Sequence, residues 1–365
     1  MTVRLSPVSD QVIVVTGASS GIGLATARKA AAAGASLVLV ARNGAALDRV
    51  ADEIRAGGGE AVAVVADVSR MNEVERVAER AGQAFGGIDS WVNNAGVSVY
   101  GTLEQIPLGD HRRVFEVNYW GVVHGSLVAA RYLKAGAGGA IVNVGSALSD
   151  RSVVLQGPYS ATKHAVKAFT EALRTELEHE GAPISVTLIK PSAMDTPFFE
   201  HARSYLDAPG IRNPPPAYDP ALVAKAILHA CETPTRTLAV GFGGYALGLA
   251  GTHFPRLTDL ALEAVGFAGQ TREDPGQPGR RDNLYGPRED GSETSSYPGG
   301  HRSTSLFLEA QMRPVATAVV LTALGAGLVG VLASRRSRDG RANQRDEHRR
   351  LARHERLARG AIDGN

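Results

Sequence analysis

In the stretch YSATKHAVKAF, residues 159–169, a phenol and an ammonium stand four positions apart, as Tyr159 and Lys163. Side chains at i and i+4 are neighbours on a helix surface, so this spacing brings the Lys163 cation close to the Tyr159 oxygen. A positive charge beside a phenol favours the phenolate and lowers a pKa that starts near 10. A phenol tuned in this way could pass a proton at neutral pH. Taken alone, the pair also fits an ordinary solvated helix face. The elements that would position it have to discriminate.

Seven short apolar runs recur through residues 11–241: QVIVVT (11–16), SLVLVA (36–41), AVAVVA (61–66), IDSWVNN (88–94), AIVNVG (140–145), ISVTLI (184–189) and TLAV (237–240). They lack clean alternation, as expected of strands covered on both faces. Ala-rich segments of helical period separate them. Right-handed crossovers then give an α/β fold with a doubly wound parallel sheet.

Directly after the first run comes TGASSGIG (16–23), leading into LATARKAAAAG. Glycines at 17, 21 and 23 allow a tight turn and close backbone approach, and the N–H groups of the following helix attract an anion. At a strand-to-helix junction in the first βαβ unit, this reads as a phosphate cradle for a dinucleotide. The second run ends in VLVARN, where a carboxylate would bind a ribose 2′-OH and an Arg would accept a 2′-phosphate. Arg42 follows Ala41 there with no carboxylate at the tip. Guanidinium geometry suits phosphate, so NADP(H) is favoured and NAD(H) is left open. A plain surface Arg at a strand end is the competing reading.

The 365 residues are 44% hydrophobic and 21% charged, with a formal net charge of +2. That near-balance gives no support for nucleic-acid binding. Cys231 is the only cysteine, so no intrachain disulfide is possible and a reducing compartment fits. The N-terminus lacks a signal-peptide pattern, which predicts a cytoplasmic catalytic domain, and no metal site is expected. Residues 269–300 hold 11 Gly or Pro in 32 positions, a composition that predicts a disordered linker. Residues 315–333, VATAVVLTALGAGLVGVLA, are 19 positions without a charge, long enough for a membrane-spanning helix.

TGASSGIG, Asp67-Val68 after the third run, NNAG (93–96), Asn118, Ser146, Tyr159 and Lys163 fall in this order along the chain. On these motifs it resembles the short-chain dehydrogenase/reductase family, in its compact single-domain branch, over about residues 8–245. The resemblance implies a Rossmann-type sheet and hydride exchange with a nicotinamide cofactor. It implies Tyr159 as general acid, Lys163 lowering its pKa and holding the nicotinamide ribose, and Ser146 bonding the substrate oxygen. Asn118 would keep a water that links Lys163 to solvent. Gly17, Ser19, Ser20, Gly21, Ile22 and Gly23 would cradle the phosphates, with Arg42 on the adenosine side. Asp67 and Val68 would flank the adenine, while Asn94, Ala95 and Gly96 line the cofactor floor. Pro191 and Thr196, in PSAMDTP, match the family's nicotinamide loop.

Two positions depart from that pattern. Ser192 follows the loop proline where Gly is usual, and Ser20 stands where many NADP-using members have a second basic residue. Arg42 would then hold a 2′-phosphate alone.

The expected organisation is a catalytic domain at 8–245, an apolar or amphipathic extension at 246–268 and a disordered linker at 269–312. A transmembrane helix at 313–334 and an Arg-rich tail at 335–365 complete it. Val99, Tyr100, Val153, Val154, Leu155, Phe198 and Phe199 would wall an apolar substrate pocket. The expected function is NADP-dependent interconversion of a ketone or aldehyde and an alcohol. A non-catalytic NADP-binding sensor or scaffold at the membrane is the alternative, but it would not need Asn118, Ser146, Tyr159 and Lys163 together. Ala161, Ala165, Phe169 and Leu173 recur at helical spacing on the helix starting at Tyr159, and the resemblance implies a homo-oligomer paired through that helix and the one before it. The alternative is that this stripe faces only its own sheet. The uncharged segment predicts membrane attachment through residues 315–333.

Overall fold

The apolar runs become strands β1 Val12–Thr16, β2 Ser36–Ala41, β3 Glu60–Val65, β4 Ser90–Asn93, β5 Gly139–Val144, β6 Ile184–Pro191 and β7 Thr237–Val240. All pair in parallel, in the order β7-β6-β5-β4-β1-β2-β3. The computed structural model describes residues 3–206, 210–272, 281–288, 291–296, 300–320 and 322. Helices α1 Gly21–Ala32, α2 Gly44–Ala56, α3 Met71–Phe85, α4 Leu108–Phe115, α5 Gly121–Ala135, α6 Gly157–His179 and α7 Pro220–Glu232 connect and flank the strands. Strand neighbours alternate between two cores. Ile13 and Val15 join a cluster with Leu24, Leu47 and Ile227, whereas Val14 joins Val74, Val128 and Leu173. Burial on both faces explains why the strands read as continuous apolar runs. The strand order reverses between β1 and β4, and such a switch point opens a crevice at the carboxyl ends of the strands.

A polar network crosses the middle of the sheet. Asn93 Nδ2 donates to Asn143 Oδ1 at 2.8 Å, Trp91 Nε1 donates to Asn93 Oδ1 at 2.8 Å, and Asn143 Nδ2 donates to Thr170 Oγ1 at 3.0 Å. These residues are buried, and they tie β4 and β5 to α6.

Beyond β7 the chain continues in α8 Phe242–His253, α9 Pro255–Ala261 and α10 Leu306–Met312. Of the linker expected at 269–312, residues 273–280, 289–290 and 297–299 lie outside the described residues, and the described ones make specific contacts. Leu284 and Leu308 are fully buried, and Asp282 pairs with Arg203 at 2.9 Å. The Gln311 side chain brackets the edge of β7, donating to the Ala239 carbonyl and accepting from its N–H. A Gly- and Pro-rich segment is poor in side-chain packing, but its main-chain carbonyls remain strong acceptors. Composition does not reveal that.

Residues Met1–Met312 form one compact unit and Arg313–Asn365 a second. Among the described residues no helix is long and apolar enough to cross a membrane, so the expected span gains no support. Position 321, positions 323–333 and the whole Arg-rich tail lie outside the described residues.

Candidate active site

At the end of β1 the chain must turn sharply into α1, and glycine sterics shape the bend. Gly17 has φ +70, and a Cβ on Gly23 would lie 2.0 Å from the Gly17 carbonyl oxygen. Thr16 Oγ1 accepts from the N–H groups of Asn94 (2.9 Å) and Ala95 (3.1 Å). Asn94 Nδ2 donates back to the Thr16 carbonyl at 2.9 Å. The NNAG segment thus locks the glycine turn from β4. Gly17, Ser19, Ser20, Gly21, Ile22, Asn94, Ala95 and Gly96 line one cavity of about 650 Å³. Gly23 supports the turn from behind.

Along the same cavity lie Arg42, Asp67, Val68, Ser146, Tyr159, Lys163, Pro191 and Thr196. Helix α6 begins with Pro158 in its first turn, a position where the missing N–H costs nothing, and it presents Tyr159 and Lys163 to the cavity. The Tyr159 ring packs against Phe198, with centroids 5.4 Å apart. The Ser146 hydroxyl lies near enough to the phenol to favour its ionised form, and it accepts from Leu148 N at 3.1 Å, capping a short turn after β5. Lys163 Nζ donates to the Val144 carbonyl at 2.8 Å and lies 5.5 Å from the Tyr159 ring centre.

The electrostatics differ from the expected acidified phenol. Burial pushes Tyr159 up to about 12, only partly offset by the Ser146 hydroxyl, and burial pushes Lys163 down to about 8. The ammonium is engaged by a carbonyl rather than by the phenolic oxygen, and desolvation disfavours both charged forms. A stability consequence follows. Lys163 titrates lower in the folded state than in the unfolded chain, where 10.5 is its ordinary value. Its burial therefore costs stability below about pH 8, and the cost fades as pH rises toward 10.5. Lys163→Met is expected to be stabilised relative to wild type at pH 7, by up to about 3 kcal/mol. Urea unfolding should show that gap narrowing as pH rises above about 8 and closing only above 10.5. A gap that does not change with pH would mean that Lys163 is not buried as a strained cation.

Asn118 lies in a π-helical turn, Glu116–Trp120, and has no solvent exposure. Its amide accepts from Val97 N at 2.8 Å and donates to Val97 O at 2.9 Å and Thr162 Oγ1 at 3.2 Å. It braces the chain after β4 against α6, behind the cavity wall.

Two contributors escape sequence reading. Arg113 on α4 is buried and pairs with Asp67 at 2.7 Å, holding that carboxyl below its ordinary range against the opposing effect of burial. An Arg in the last turn of a short helix carries no motif signal. The second is the stretch after β7. Leu247, Leu262, Val265 and Gln270 line the cavity, so much of the apolar wall comes from α8 and the residues beyond it. Of the expected wall residues, Val153, Phe198 and Phe199 line the cavity, whereas Val99, Tyr100 and Leu155 are buried behind it. Among the described residues, no cluster of three or more His, Cys, Asp or Glu could hold a metal ion.

A family model described as short chain dehydrogenase matches residues 11–206. An uncharacterized oxidoreductase of Bacillus subtilis (strain 168), YxnA, is 43% identical over 336 residues, 92% of this chain and 93% of its own. An 11-beta-hydroxysteroid dehydrogenase A of Sesamum indicum is 37% identical over 191 residues, 52% of this chain and 54% of its own. Among solved structures, an alcohol dehydrogenase from Thermococcus sibiricus complexed with 5-hydroxy-NADP superposes with TM-score 0.55 at 28% identity. That match covers 63% of this chain and 95% of the other.

Proposed function

The chain belongs to the short-chain dehydrogenase family, and from that premise we propose that it is an NADP(H)-dependent oxidoreductase interconverting an apolar ketone or aldehyde with its alcohol. The observation that carries this reading is one cavity holding Ser146, Tyr159 and Lys163 together with the glycine turn and Arg42. The absent side chains at Gly17 and Gly23, the α1 N-terminus and the Arg42 guanidinium fit a dinucleotide. When bound, its nicotinamide supplies or accepts a hydride at the substrate carbon.

The residues of the chain handle the proton and the orientation. Ser146 and Tyr159 line the same cavity, with the Ser146 hydroxyl near the phenol, so both hydroxyls can reach one substrate oxygen. Tyr159, neutral at physiological pH, donates its proton to that oxygen during reduction and takes it back during oxidation. Lys163, anchored on Val144 O, keeps a positive charge near the phenol below about pH 8 and eases transient loss of that proton. Phe198, Phe199, Leu247, Leu262 and Val265 surround this end with apolar surface, which favours a hydrophobic substrate.

NADP(H) is preferred because Arg42 stands at the β2 tip, where the strand end itself carries no carboxylate. The Thermococcus sibiricus relative, solved with an NADP analogue, supports the same choice. Pairing of subunits through α5 and α6 is also proposed. Ala161 is exposed on α6, and Trp120 and Leu127 are exposed at the start of α5 and along it. Light scattering should then return a multiple of 38.2 kDa.

Purified full-length protein should oxidise NADPH in the presence of apolar ketones, with kcat/KM for NADPH well above that for NADH. No turnover across a broad carbonyl and alcohol panel would remove the reading. A preference for NADH would remove the role of Arg42 as phosphate clamp.

A further inference from the structure

Residues 282–288 and 291–296 pass over the adenosine and phosphate side of the cavity, and their carbonyls meet donors a dinucleotide would need. At the β2 tip the Arg42 guanidinium donates to the carbonyls of Asn283 and Leu284. Next to it, Asn43 Nδ2 donates to the Arg288 carbonyl at 2.6 Å, and Arg113 Nε donates to the Leu284 carbonyl at 3.1 Å. At the glycine turn, Gly21 N donates to the Ser292 carbonyl at 2.8 Å. Gly21 is the first residue of α1, whose N–H would otherwise be available to an anion.

The segment is fastened at both ends of this crossing. Leu284 is fully buried in the core cluster that also holds Val38, Val40 and Val74, and Asp282 holds Arg203. Farther on, Glu293 pairs with Arg28 at 2.7 Å and Ser295 Oγ donates to Asp195 at 2.5 Å. The likeness to the Bacillus subtilis relative, 336 residues on a chain of 365, necessarily runs through this segment.

We propose that this segment is a built-in competitor of the dinucleotide: its carbonyls hold Arg42 and the Gly21 N–H, and the cofactor gains those groups only as the strap withdraws. The inference rests on the cavity being a dinucleotide site, as proposed above. A carbonyl oxygen is an acceptor like a phosphate oxygen, so it satisfies the same donors but repels the phosphate that would replace it. An uncharged acceptor on an arginine is the weaker partner, which makes the strap displaceable by a charged phosphate. Apparent affinity falls by the fraction of molecules with the strap open. If one molecule in about ten is open, loosening the strap tightens binding about ten-fold.

The test is NADPH binding to full-length wild type, Leu284→Ala and Glu293→Arg, followed by equilibrium and stopped-flow fluorescence. Leu284→Ala removes the buried anchor. Glu293→Arg breaks a half-buried surface ion pair and sets two arginines together, so it keeps the test alive if the first variant folds poorly. Both variants are expected to bind NADPH about ten-fold tighter through faster association, with dissociation little changed. Equal binding in all three proteins would overturn the strap alone. Weaker binding with faster dissociation would overturn it in favour of a segment that clamps bound cofactor. No binding by any of the three would remove the dinucleotide reading, and the strap with it.

Discussion

Tyr159→Phe should lower hydride transfer by about 10²–10⁴-fold, the usual weight of a positioned general acid–base, while NADPH affinity stays within about two-fold. The substitution removes one oxygen. The ring that packs on Phe198 at 5.4 Å is kept, and the Lys163 anchor on the Val144 carbonyl is untouched. The lost function is a proton held by a group that burial keeps neutral up to about 12. Single-turnover kinetics with saturating NADPH would measure the chemical step apart from binding. Wild-type turnover in the variant would mean that the substrate proton comes from elsewhere.

The second large effect is expected at the glycine turn. Gly23→Ala places a Cβ 2.0 Å from the Gly17 carbonyl oxygen and 2.7 Å from Asn94 Nδ2. The first neighbour is main chain within the bend, so it cannot rotate away. The turn has to open, carrying Gly21 and Ile22 out of position. Overpacking of this kind costs about 1–3 kcal/mol, which in the binding equilibrium is about a 5- to 150-fold loss of dinucleotide affinity. Titration calorimetry with NADPH, together with a melting curve, separates lost affinity from lost folding. Undiminished affinity would show that the turn is not the phosphate cradle.

How far these features were readable depends on what each one is made of. The seven strands lie within two residues of the apolar runs at every end, because burial on both faces writes itself into side-chain type. Tyr159, Ser146 and Lys163 converge on one cavity as their motif implied, since a fixed helical spacing and a strand-end turn place them. The direction of the Tyr159 shift was not readable. It follows from how completely the phenol is desolvated and from Lys163 choosing the Val144 carbonyl, and neither is a property of the four-residue spacing. The strap was hidden for a related reason. Asn283, Leu284 and Ser292 act through carbonyls that every residue possesses, inside a composition that resembles a linker. Arg113 gave no signal because its partner, Asp67, is 46 positions away on another element.

The Asn93–Asn143 pair has a bearing on the alignment of the reaction centre. Parallel strands made of near-uniform Val, Ile and Ala runs have little in their side chains to prevent sliding by two residues, because such a slip preserves which face is buried. A buried amide pair does not tolerate that slip, since each orphaned group would cost about 1–3 kcal/mol. Asn143 directly precedes Val144, whose carbonyl receives Lys163, and its own amide reaches Thr170 on the same helix. The network therefore works as an indexing pin. It sets β5 at one notch against β4, and the same notch fixes where the Lys163 ammonium stands, so the geometry proposed for proton transfer is inherited from a choice made in the middle of the sheet.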